Sequence, residues 1–244
     1  MSNASVVSSC SLIPQSGLKR TSRLSVGLEY GIATEREELE AAFALIYNSY
    51  RRAGLMEENE QGIRVTPFHL LTTTEVFITK YQGEVVSTVS LIGDGDLGLP
   101  LESIYPDDVK VMREGGLKMA EIGCLADRRN SPVRFVETFS TMGRMLAQVA
   151  KARGYDGLVA ATHPKHARLY SRILPFEQVG EETECPYANG NPAVMLALVF
   201  DQYRGTSLYD RFFGAMSNPT ETDYKPWESN ARQFFEAFVR SEAR

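Results

Sequence analysis

The chain is poor in the residues that build cross-links and metal sites. Its 244 residues include only three cysteines, Cys10, Cys124 and Cys185, and three histidines. The cysteines are odd in number and widely spaced, so they offer neither a disulfide framework nor a Cys-x-x-Cys zinc signature. A reducing, cytoplasmic setting is the expectation that follows. His163 and His166 form a close pair, but no third ligand stands near them in the chain, and no metal is expected. No apolar run approaches the roughly 18 residues a membrane helix needs. Basic charge is also scarce: a net charge of −5 disfavours bulk attraction to nucleic acid, although basic residues can still form a local patch. There are no internal repeats. The opening MSNASVVSSCSLIPQSG is serine-rich and lacks the basic start and continuous apolar centre of a secretory signal. Residues 1–22 are therefore expected to be a disordered tail, or an arm that orders on a partner.

What is present is ordinary for a soluble globular chain, with 43% hydrophobic and 23% charged residues. Alternation predicts a first strand within 23–33. Thr34 reads as the cap of an amphipathic helix with Leu39, Phe43, Ile46 and Tyr50 at helical spacing, stopped by Gly54. RVTPFHLLTTT reads as loop. EVFITK (75–80) and EVVSTVSLI (84–92) read as a hairpin about a Tyr-Gln-Gly turn. Residues 105–116 predict a short helix and 117–126 a strand. Ser131 and Pro132 read as the N-cap and first residue of a long helix, with Phe135, Phe139, Met142, Leu146 and Val149 on one face and Gly154 at its end. YDGLVAAT (155–162) predicts a buried strand, 163–174 a helix, and the segments beginning PFEQVGEE and PAVMLALVF two closing strands. Neighbouring strands imply antiparallel pairing, and the strand–helix–strand passage at 118–162 implies a parallel crossover. The expected class is α/β, a mixed central sheet flanked by helices. The expected division is a tail (1–22), a folded α/β domain (23–204) and a helical extension (205–244) laid back on it.

These elements resemble the GNAT acyltransferase fold. More closely, the chain is similar to the FeeM-type long-chain N-acyl amino acid synthases, relatives of the acyl-homoserine lactone synthases. The segments that carry the resemblance are RVTPFHLLTTTEVFIT, GEVVSTVSLIGDGDLGLPLESIYPD, MAEIGCLAD and THPKHARLYSRILPFEQVG, which lie between about residues 30 and 200. The resemblance implies transfer of a long acyl chain from an acyl-carrier-protein thioester to the amino group of an amino acid. It maps the family's strand glutamate onto Glu121, its Arg-x-x-Pro segment onto Arg64 and Pro67, and a frequent general acid onto Tyr170. The lactone synthases carry Glu-x-Ser-Arg where this chain has Glu121-Ile122-Gly123-Cys124, which argues against lactone formation. Pro164 and Pro175 replace the Asn and Gly that ordinary GNAT enzymes place around their fourth helix.

Thioester aminolysis needs a base for the amine, donors for the oxyanion and a proton for the leaving thiolate. Glu121 sits mid-strand between apolar residues, where an unpaired charge is costly, and is the candidate base. Alternation places Glu121 and Gly123 on one face, with Ala120, Ile122 and Cys124 on the other, so Gly123 leaves room beside the carboxylate. Solvent-facing or structurally paired placement of Glu121 is the plainer alternative. Tyr170 is either the thiolate's acid or a packing residue. His163 is either a crevice residue or a loop histidine satisfied by backbone. Arg64, with His69 as a companion, is either a clamp for the acceptor carboxylate or a structural arginine. Cys124 as a nucleophile lacks any visible base, and a small buried thiol is the plainer reading.

The loop from 128 to 134 has no glycine, although close approach to a pyrophosphate is easiest there with glycine. It carries Arg128, Arg129 and Arg134 instead, with Lys165, Arg168 and Arg172 on the next helix. Such a rim suits an acidic carrier protein with its acyl-phosphopantetheine arm; acyl-CoA is the alternative donor, and a solvated basic face the plainer one. No bound cofactor is expected. The rival functions are a CoA-dependent N-acetyltransferase with an atypical loop and a GNAT-shaped module without catalysis. The aromatic extension beyond residue 205 is a candidate wall for the acyl groove.

Overall fold

The computed structural model describes residues 27–244 except 129, 131, 215–221 and 243–244. The expected N-terminal tail, the start of the first strand, Ser131 and Arg129 thus lie outside the described residues. Eight strands form a mixed sheet in the order β1-β2-β3-β4-β5-β8-β6, with β7 paired to β8. β1 (Leu28–Ile32), β2 (Thr74–Tyr81), β3 (Glu84–Gly93) and β4 (Met119–Asp127) run antiparallel to their neighbours. β4 then pairs in parallel with β5 (Gly157–Thr162) through the crossover helix α3 (Phe135–Ala152). The closing part has three strands rather than two: β6 (Glu177–Gln178), β7 (Thr183–Cys185) and β8 (Asn191–Val199).

Side-chain periodicity explains the layers. Along β2, Phe77 packs into the cluster under α3, and Val76 and Ile78 pack into the one under α1 (Arg36–Arg52). Phe139, Met142, Leu146 and Val149 are buried on the sheet-facing side of α3, and Tyr170, Ile173 and Leu174 join them from α4 (Pro164–Ile173) and its end. On the opposite face lie α1 and α2 (Pro106–Glu114). The hairpin turn forms as expected: Gln82 and Gly83 both have positive φ, 53° and 83°, which matches a two-residue turn to the twist of the strands.

Several boundaries differ from expectation. Thr34 does not cap α1; Glu35 holds that position without a side-chain cap, and the Glu38 carboxylate accepts the Thr34 N–H at 3.4 Å. α3 begins at Phe135, so Pro132 precedes the helix rather than starting it. Within RVTPFHLLTTT a 3-10 turn, Pro67–Leu70, replaces the plain loop.

The last helix, α5 (Ser229–Glu242), lies back on α1: Phe235 is fully buried against Phe43 (ring centroids 5.0 Å) and Trp227 (5.8 Å). Phe235→Ala is expected to cost about 3–5 kcal/mol, because the cavity left behind cannot collapse against rigid α1. Urea unfolding of the variant checks this; a cost below about 1 kcal/mol would mean that the helix contributes little to the core.

Candidate active site

The site begins where the sheet comes apart. β4 and β5 pair only at Met119–Gly157, Ala120–Leu158 and Glu121–Val159. Beyond Glu121 the strands separate. On the β3 side, Cys124 and Leu125 together oppose Val89, since Gly123 pairs with Ser90 and Ala126 with Thr88. This bulge bends β4. It places Cys124 at φ 53°, a conformation that costs a non-glycine residue roughly 1–2 kcal/mol. The extra residue also corrects the simple alternation: Cys124 packs on the α1 side and Leu125 on the α3 side, so Cys124 shares the face of Glu121 rather than that of Ile122. The gap opens into a cavity of about 940 Å³ walled largely by apolar groups, among them Leu55, Phe68, Leu99, Leu125, Phe135 and Leu169. That volume lies near the top of the range for small-molecule sites.

Glu121 stands in the wall at the parting point and is 4% exposed. Its Oε2 accepts the backbone N–H of Leu101 at 2.8 Å, from the 3-10 turn Pro100–Ser103. Among the described residues no cation pairs with it. Burial lifts its carboxyl to about 8; the Leu101 N–H opposes the rise, and the Glu102 charge adds to it. Gly123 leaves room for about one methyl group beside it: a Cβ there would make ordinary contacts, 3.5 Å from Ile92 Cδ1 and 3.9 Å from Glu121 Oε1. Tyr170, from α4, also lines the cavity. Its ring packs against Phe139 and Phe176, at 5.2 and 5.6 Å between centroids. Burial, and then the Glu121 charge, hold its phenol well above the usual range. Tyr170 thus packs through its ring, as one of its two readings has it, and lines the cavity as a protonated phenol.

Arg64 reaches the cavity from the segment after α1. It lies over the Tyr50 ring at 5.2 Å and donates to the Tyr187 carbonyl at 3.4 Å. Its buried Nε has no hydrogen-bond partner, and among the described residues no carboxylate forms a salt bridge with it. His69 is not beside it on the cavity wall. It is 1% exposed behind β3; Nδ1 accepts the Thr66 N–H at 3.0 Å and Nε2 meets Ser90 Oγ at 3.2 Å. Burial, and then the Arg64 charge, drive its imidazole down to about 3, and it is not among the residues that line the cavity. Cys124 faces Tyr50 and Arg64, but burial pushes its thiol up to about 11, which leaves no thiolate for nucleophilic attack near neutrality.

The basic residues of the rim are less united than their spacing implies. His163 lines the cavity and caps α4, its Nδ1 accepting the Lys165 N–H at 3.2 Å, so the crevice reading and the cap reading both apply. Lys165 also lines the cavity, and Arg168 is exposed on α4. Arg128 and Arg134 do not line it. Arg128 pairs with Glu84 at 2.5 Å and Arg134 with Glu137 at 3.3 Å, both at the surface. Among the described residues the aromatic extension does not wall the cavity either: Phe212 and Phe213 pack by Phe200 and Leu208, and α5 packs on α1. The β7–β8 turn supplies that wall instead, through Tyr187 and Ala188.

Three contributors escaped the sequence reading. The Leu101 N–H is a backbone group and leaves no residue-type signal. Tyr50 was counted as a core residue of α1, yet its ring is half-buried and lines the cavity. Tyr187 sits in a turn whose approach to α1 depends on long-range bonds such as Asn189 Nδ2 to Glu57 Oε1, 3.1 Å. Among the described residues no cluster of His, Cys, Asp or Glu suits a metal ion.

With this geometry in place, comparison with known proteins is informative. The model of the family "N-acyl amino acid synthase FeeM" matches residues 41–199. The structure of FeeM, an N-acyl amino acid synthase from uncultured soil microbes, is 26% identical, with a TM-score of 0.63, over 75% of this chain and 97% of that one. The acyl-homoserine lactone synthase LasI shares the fold at 11% identity and TM-score 0.56, over 78% of this chain and 96% of its own. So does a variant of agmatine N-acetyltransferase, at 15% identity and TM-score 0.52, over 71% and 99%. A search of curated proteins returns no match. The architecture is thus the GNAT-like one that the element order implies.

Proposed function

Because the chain belongs to the FeeM family of N-acyl amino acid synthases, whose model matches residues 41–199, we propose that it moves a long acyl chain from an acyl-carrier-protein thioester to the amino group of an amino acid. It is an N-acyltransferase; the donor, the acceptor and the residue roles are the proposal. The observation that supports them most is a single buried carboxylate, Glu121, in the wall of a large apolar cavity beside Gly123.

The acceptor amine arrives as ammonium and loses two protons in becoming an amide. Glu121 accepts the first and passes it to solvent. The nitrogen then bonds to the thioester carbon, and the C–S bond breaks. Tyr170 gives its proton to the departing sulfur and is restored by the second proton from nitrogen. Arg64, which has no carboxylate partner among the described residues, receives the acceptor's carboxylate. The apolar wall holds the acyl chain. Lys165, His163 and Arg168 lie on the donor side, where the phosphopantetheine arm of the carrier would pass. Arg128 and Arg134 complete the carrier's docking rim, exchanging Glu84 and Glu137 for carrier carboxylates.

Purified enzyme offered long-chain acyl-carrier protein and the matching acyl-CoA in parallel, with free amino acids as acceptors, tests the donor. The expected result is N-acyl amino acid from the carrier thioester at a kcat/KM at least about tenfold above that with acyl-CoA, a difference of about 1.4 kcal/mol. Product from short acyl-CoA alone would overturn the carrier reading and make the protein a CoA-dependent N-acetyltransferase. No transfer from any donor would leave a binding module.

A further inference from the structure

The turn that carries the Leu101 N–H is itself held by a branched ion pair. Arg113, near the end of α2, donates from Nε and an Nη to both oxygens of Asp94, each at 2.7 Å. Its two Nη groups also bond both oxygens of Glu102, one of them at 2.8 Å. Glu102 Oε2 in turn accepts the Leu99 N–H at 2.7 Å, which fixes the start of the Pro100–Ser103 turn. The turn has no slack at its neck: a Cβ on Gly98, whose φ is 66°, would lie 2.0 Å from Glu102 Oε2. Arg113 thus ties the β3 exit loop at Asp94 to the turn at Glu102, and the N–H of the preceding residue, Leu101, points at Glu121. Two carboxylates on one planar guanidinium is a geometry that lysine cannot reproduce.

We propose that Arg113 is a positioning residue for Glu121, acting through Glu102 and the Leu101 N–H without touching substrate. This rests on the reading of Glu121 as the base. Arg113 has two effects of the same sign. It keeps the Leu101 N–H in place on the Glu121 carboxylate, and it neutralises Glu102, whose charge otherwise disfavours the Glu121 anion. Without Arg113 the base is ionised only at higher pH.

The test follows the Glu121 carboxyl itself. Intact protein labelled with carbon-13 at the glutamate side-chain carboxyls is titrated by NMR, the Glu121 signal being identified by its loss in Glu121→Gln. In Arg113→Met the Glu121 midpoint is expected to rise by about one pH unit, with kcat/KM at about pH 7 falling roughly tenfold, the factor that one unit represents. Arg113→Lys is expected to restore part of both. A purely structural role would lower the melting temperature and leave the midpoint where it was. If Arg113→Met does not fold, Asp94→Asn, which loosens the outer half of the fork, is expected to give a smaller shift in the same direction. An unmoved midpoint in the folded variants, with Glu121→Gln inactive, overturns this inference alone. A Glu121→Gln enzyme with full turnover overturns the base reading beneath it.

Discussion

Glu121→Gln is expected to lower turnover by about a hundred- to ten-thousand-fold while making the protein more stable in alkali. The loss follows from removing a general base, a contribution of that size where proton transfer limits the reaction. The gain follows from burial. In the folded protein the Glu121 carboxyl titrates at about 8, against its ordinary value of 4.5. Between those values the unfolded chain has lost the proton and the folded protein still holds it. Stability therefore declines as pH rises from about 4.5 to about 8 and levels off above. Glutamine does not titrate, and its carbonyl can still accept the Leu101 N–H. The variant's advantage should be small in acid, grow through that window and stay constant beyond it. Thermal melts across pH, set beside turnover, check both halves. Wild-type kcat/KM should itself rise with pH through about 8, since Glu121 must be ionised to take the amine's proton. A stability difference that does not change with pH would show that Glu121 is ionised throughout. An active variant would remove it from the chemistry.

Arg64→Met is expected to raise the acceptor's KM by about ten- to a hundredfold, the equivalent of the roughly 1.5–3 kcal/mol that a hydrogen bond to a charged group contributes. Arg64 sits over Tyr50 with its Nε buried, and among the described residues it has neither a hydrogen-bond partner on that nitrogen nor a carboxylate counter-charge. An acceptor carboxylate supplies both. The sharper readout is discrimination: wild type should favour an amino acid over its methyl ester by about the same factor, and Arg64→Met should treat the two alike. Arg64→Lys should recover only part, because an ammonium cannot present the planar fork. Undiminished discrimination in Arg64→Met would place the carboxylate elsewhere in the cavity.

The sheet was legible in the chain because its determinants are local. Gly154 stops α3 with φ 79°, the Gln82–Gly83 turn closes the β2–β3 hairpin, and the apolar stripe of α3 lies at the expected spacing. Glu121 was legible too, as a charge between apolar neighbours. The misreadings share a physical cause. Cys124 changes face because of one extra residue opposite Val89, and alternation patterns assume unbroken pairing. His69 looked like a companion of Arg64, yet its ring is spent on Thr66 and Ser90. The aromatic residues after 205 announced burial without saying against what; Phe235 meets Phe43, nearly two hundred positions earlier, rather than the acyl groove. What was missed at Cys124, at Ser90 beside His69 and at Phe235 lies in partners distant in sequence, where neither propensity nor spacing carries information.

The bulge at Cys124 and Leu125 has a bearing on how such a protein can change. A strand has two faces, and one surplus residue exchanges them. The first half of β4 turns Glu121 toward the turn that steadies it, and the second half is dealt out one place late. Deleting either Cys124 or Leu125 would restore an even count, and β4 could then run on straight beside β5. The mouth of the cavity would close although only one lining residue had been removed. The chamber is in this sense a matter of arithmetic in the backbone, and variation in the walls is free to select substrates only while that odd residue stays.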